Sequence, residues 1–151
     1  MNDMRILGVD PGSKRTGICL LVADSRSLRF ESGQEVYGGV EGMIEHLHEF
    51  GGLYKPTVTV IEGYEVRGGR AGDPHGLEVI GAVKSWLYPK YNEPVIQPAA
   101  GRKQAVSDEA LKNLGLYFAG EPQRNLREAV RHAVWYAKKQ NHIPTLRGGW
   151  G

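Results

Sequence analysis

The sequence predicts an α/β fold, in which a mixed five-stranded sheet of three antiparallel N-terminal strands plus two further strands is flanked by helices. Three observations predict it. The chain opens with three consecutive strand-like segments separated by turn residues. Two later short apolar runs alternate with helically spaced segments, and a long apolar stripe at helical spacing comes near the end.

Ile6, Leu7 and Val9 form the first apolar run, stopped by Asp10-Pro11-Gly12. A second strand is predicted over Gly17 to Val22 and a third over Leu28 to Val36, with Ala23 to Ser27 as the turn. Val40, Met43, Ile44, Leu47 and Phe50 recur at helical spacing, and Gly51-Gly52 reads as the stop before a strand at Thr57 to Ile61. Residues 65–74 hold three glycines with Arg67 and Arg70 and read as a flexible loop, followed by a helix from His75 to Tyr88. A short strand at Val95 to Gln97 leads to Pro98-Ala99-Ala100-Gly101. Ser107 is the N-cap expected for a helix reaching Leu114. In the last helix, Arg124 to Gln140, the residues Leu126, Ala129, Val130, Ala133, Val134 and Ala137 form one apolar stripe. Residues 1–142 are expected as a single domain and 143–151, with Gly148-Gly149, as a frayed tail.

A chain of 151 residues can bury a core without staples. A formal charge of +2 neither argues for nor against a nucleic-acid partner. Cys19 is the only cysteine, which rules out an intramolecular disulfide and a multi-cysteine zinc site and fits a reducing compartment, the cytoplasm. With no apolar stretch of about twenty residues, neither secretion nor membrane insertion is expected.

Asp10 and Glu62 each end an apolar strand. If these strands are neighbours, both carboxylates emerge at one sheet edge; taken singly, each is equally a turn cap or a solvated strand end. On the last helix, Asn125, Glu128 and His132 follow i, i+3, i+7 spacing beside the apolar face, where they are either a polar flank or ligands laid against that edge. Oxygen ligands without a cysteine cluster suit Mg2+ or Mn2+, which bind through few carboxylates, waters and substrate phosphates. The chemistry such a site serves is in-line phosphodiester hydrolysis, with two ions about 4 Å apart in many nucleases.

Ile6-Leu7-Gly8-Val9-Asp10-Pro11-Gly12, continued by Thr16-Gly17, resembles the opening motif of the RuvC-like Holliday junction resolvases of the RNase H-like superfamily. Val60-Ile61-Glu62 resembles their second motif, Ile80-Gly81 fits the helix after it, and Glu128-Ala129-Val130-Arg131-His132-Ala133 resembles the last. The resemblance covers nearly the whole chain. It implies an RNase H-like fold, a divalent metal, a homodimer and branched DNA as substrate, and it is compatible with a bacteriophage origin and so a host cytoplasm. Asp10, Glu62 and Glu128 would hold the metal and Asn125 would offer a neutral oxygen. Two positions depart from the pattern: Glu128 stands where aspartate is usual, and Asn125 where the family often carries aspartate or histidine. By the same resemblance His132 would orient water or contact the phosphate. Lys103 would neutralise charge at the scissile phosphate, its other reading being a solvated lysine before a helix.

Lys14, Arg15, Arg67, Arg70, Arg102, Lys103 and Arg131 would form a phosphate-binding rim if they converge in space, and Tyr64 would either stack on an unpaired base or pack. Two alternatives stand beside the resolvase reading. Lys14-Arg15-Thr16-Gly17 also resembles the first motif of YqgF-like nucleases, and a DNA-junction binding protein with a weakened metal site would share the same departures. An actin-type or sugar-kinase ATPase needs a duplicated domain about twice this length.

Overall fold

The computed structural model describes residues 3–63, 74–90 and 92–151. Five strands form one sheet in the order β3-β2-β1-β4-β5. β1 (Met4–Asp10), β2 (Arg15–Ala23) and β3 (Leu28–Tyr37) are an antiparallel meander. β4 (Val58–Glu62) lies parallel to β1, and β5 (Val95–Gln97) parallel to β4. The predicted mixed sheet is therefore the observed one.

Alternation along the strands sorts side chains onto two faces. Ile6 on β1 and Val60 on β4 join a core under α5 (Arg124–Lys139). Leu7, Val9 and Ile61 join a second core under α1 (Gly39–Tyr54) and α2 (Pro74–Leu87). On the first face, α3 (Arg102–Ala105) and α4 (Asp108–Asn113) pack beside α5, and the side chain of Ser107 caps α4 as expected, accepting from the Ala110 amide.

The sequence reading needs two corrections of extent. Gly51-Gly52 does not stop α1, which runs on to Tyr54 and ends at Lys55 in the left-handed region, φ 45°. Gly51 serves packing instead: a Cβ there would come within 2.9 Å of the Trp86 indole, so its absence lets α1 and α2 approach. Residues 143–151 are not a frayed tail, since Ile143–Trp150 form helix α6. Thr145 and Gly149 on it are buried, and Lys138 lies 4.3 Å from the Trp150 ring centroid. The predicted loop at 65–74 lies almost wholly outside the described residues. No helix among the described residues is long and apolar enough to cross a membrane.

Candidate active site

Parallel pairing of β1 with β4 puts Val9 opposite Ile61, so the strands end together at Asp10 and Glu62. Both carboxylates face the cleft beside α5, close enough that each acts on the other. α5 reaches them because β1 and β2 carry glycine beneath it. A Cβ at Gly8 would collide with the Ala129 carbonyl, and one at Gly17 with the Asn125 carbonyl. The helix start is pinned by Glu35 of β3, whose carboxylate accepts from the backbone amides of Asn125 (3.2 Å) and Leu126 (2.6 Å). A negative charge at a helix N-terminus is favourable, and this one also fixes where Asn125 and Glu128 fall.

The result is a cleft of about 290 Å³ whose lining includes Asp10, Glu62, Asn125, Glu128, Arg102 and Lys103. Burial, then the charge and hydrogen bond of Glu62, then the charge of Glu128 raise the Asp10 carboxyl well above the usual range, with Arg102 opposing. Burial also raises Glu62, but the His132 hydrogen bond, Arg102 and the bond to Asp10 outweigh it and bring Glu62 down. Of the pair, Glu62 ionises first and Asp10 keeps the proton.

Glu128 is engaged on both oxygens. Arg102 Nε donates to Oε1 at 2.6 Å and Arg131 Nε to Oε2 at 3.1 Å. Among the described residues, no three His, Cys, Asp or Glu side chains are disposed together around a metal position. The donor set nonetheless suits a hard cation: Asp10, Glu62 and Glu128 offer oxygens, and Asn125 Oδ1 is buried without a partner.

Other candidates are placed differently from the expectation. His132 is fully buried, with Nε2 2.9 Å from Glu62 Oε2 and Nδ1 2.9 Å from Gln97 Nε2. Neither ring nitrogen is left for water or phosphate, so that expected role is corrected. Arg131 is 1% exposed and donates to Glu128, to the Val106 carbonyl (2.6 Å) and to Asp108 (2.6 Å), which removes it from a phosphate-binding rim. Arg15 is tied to Glu35 at 3.2 Å and to the Glu121 carbonyl at 2.8 Å, and so braces the start of α5. Arg102 donates to Glu128 and its charge acts on Glu62 and Asp10, whereas Lys103, exposed on the next position, lines the cleft. Lys14 is exposed beside a separate hollow lined by Gly38, Gly39 and Glu78. Tyr64, Arg67 and Arg70 lie outside the described residues.

Sequence reasoning missed Glu35, Gln97 and the far wall of the cleft. That wall is Tyr117, Arg124 and Arg127, with Lys112 Nζ 4.8 Å and the Arg127 guanidinium 5.5 Å from the Tyr117 ring centroid. Arg124 opens α5 one turn before Glu128, a spacing that could have flagged it.

No protein-family model matches the sequence, and no curated relative matches it. Solved structures do. A Thermus thermophilus RuvC in complex with a Holliday junction substrate is 19% identical, superposes with a TM-score of 0.70, and covers 93% of this chain and 98% of its own. A fowlpox virus resolvase in complex with Holliday junction DNA is 14% identical with a TM-score of 0.67, covering 91% and 99%. The yeast mitochondrial Holliday junction resolvase Ydc2 is 13% identical with a TM-score of 0.55, covering 95% and 83%. The chain has the RNase H-like fold of these resolvases.

Proposed function

We propose that this chain is a divalent-metal-dependent endonuclease that nicks four-way junctions or related branched DNA, acting as a homodimer in the cytoplasm, that of the host if it comes from a phage. The observation that carries the reading is the Asp10–Glu62 pair, two carboxylates at adjacent strand ends that share one cleft beneath α5. Folding alone gives no reason to hold them there, since burial and mutual repulsion both oppose it.

Asp10 and Glu62 would hold Mg2+ or Mn2+, with Asn125 Oδ1 as a neutral donor. The metal supplies an activated water and stabilises the leaving oxygen of an in-line displacement. The chain's own part would be to release the Asp10 proton to solvent as the cation binds, keep Glu62 oriented through His132 and present positive charge to the phosphate. Glu128 would join the ligand set only if it gave up the hydrogen bond from Arg102, whose guanidinium would then be free for non-bridging phosphate oxygens. Lys103 and Arg124, exposed on the same cleft, would take the neighbouring phosphates.

A second reading, a junction-binding protein with little cleavage, is favoured by the double arginine hold on Glu128. Labelled junction incubated with Mn2+ separates the two. Paired nicks in wild type that disappear in Glu62→Gln support the nuclease; binding without nicks supports the second reading.

A further inference from the structure

Gln97 is the last residue of β5, 1% exposed and directed across the sheet edge at α5. Its Nε2 lies 2.9 Å from His132 Nδ1 and 3.0 Å from the His132 backbone carbonyl oxygen. A carbonyl oxygen can only accept, so the Gln97 atom facing it must be the amide nitrogen. That nitrogen has two hydrogens and gives one to each neighbour. His132 Nδ1 is therefore an acceptor, and the ring hydrogen sits on Nε2, directed at Glu62 Oε2 2.9 Å away. His132 is fully buried and stacked on Trp135 (centroids 5.9 Å apart), which holds the ring in this orientation.

We infer that Gln97 is a positioning residue, setting the tautomer of His132 so that its Nε2–H fixes one carboxylate oxygen of Glu62 toward the metal position. The relay rests on the proposed metal role of Glu62. Its cost points the same way. Gln97 Oε1 is buried with no partner, an unsatisfied acceptor that an apolar residue would avoid. Packing alone would favour leucine or methionine here. Outer contacts that orient a metal ligand typically change metal affinity by about 10- to 100-fold when removed.

The test has two parts. In 15N-labelled wild-type protein, long-range 1H–15N correlation is expected to show the His132 hydrogen on Nε2; a hydrogen on Nδ1 overturns the inference without any variant being needed. In Gln97→Met, which keeps length and volume but removes the donor, His132 is expected to lose that bias and Mn2+ affinity by titration to fall by about tenfold or more. Wild-type Mn2+ affinity in a folded Gln97→Met protein also overturns it. Asp10→Asn is titrated alongside. If that variant too binds Mn2+ like wild type, the metal reading of the site has failed, whereas the tautomer result still judges the relay.

Discussion

Replacing Asp10 by asparagine should stabilise the metal-free protein while abolishing its response to metal. Asp10 sits against Glu62 and near Glu128, and its carboxyl is held well above the usual range by burial and by those charges. A raised folded-state value means that the stability Asp10 contributes is present in full below the unfolded carboxylate range and is lost as pH rises through the folded value. At pH 7 the wild-type protein therefore bears a strain that asparagine, nearly the same shape and never charged, does not. Each pKa unit of elevation is worth about 1.4 kcal/mol. For a domain of this size 1 kcal/mol moves Tm by roughly 2–4 °C. Thermal unfolding in chelator should thus show Asp10→Asn melting above wild type at neutral pH, by roughly 3–6 °C for each unit of elevation, with the gap closing as pH falls toward the ordinary carboxylate range. Added Mn2+ should raise the wild-type Tm by mass action and leave the variant unmoved. A variant less stable than wild type in chelator, or one with an undiminished Mn2+ shift, would refute the reasoning.

The same proton makes wild-type Mn2+ affinity weaken as pH falls, because binding must displace it from Asp10; a flat titration between neutral and mildly acid pH would contradict this. Arg131→Met takes a buried donor from Glu128, which keeps Arg102, from the half-exposed Asp108 and from the Val106 carbonyl, and should cost about 1–3 kcal/mol, seen as a Tm drop of roughly 2 °C or more. Gly17→Ala forces a methyl into the Asn125 carbonyl and should cost about 1–3 kcal/mol. It should also weaken Mn2+ binding, since α5 must lift away from Asp10. Removing residues 143–151 uncovers Leu114, against which Gly148 and Gly149 pack, and should lower Tm by roughly 4–8 °C if about 2 kcal/mol of burial is lost. An unchanged Tm would restore the frayed tail.

Asp10 and Glu62 were legible in the sequence because a carboxylate closing an apolar strand leaves a local mark, and two strands in parallel register must end together. Helix α5 was legible for a similar reason, its apolar stripe being long enough to fix its period. Gly51-Gly52 misled because the pair looks like a helix stop, while the reason for Gly51 is the Trp86 indole on another helix. Gly148-Gly149 misled in the same way, its small residues serving contact with Leu114. Arg131 looked like a surface cation because a charge in the sequence says nothing of the Val106 carbonyl and Asp108 waiting for it. Glu35 and Gln97 left no mark at all: each acts on α5 from a distant strand, at 90 and 35 residues' separation.

Cleavage of a labelled four-way junction, beside a linear duplex of the same sequence, tests the central claim most directly. Wild type, Asp10→Asn and Glu62→Gln are each assayed with Mg2+, with Mn2+ and with chelator. The expected result is paired nicks in the junction with metal and wild type only, and an intact duplex. Nicking in chelator, or nicking by Asp10→Asn at the wild-type rate, would contradict it.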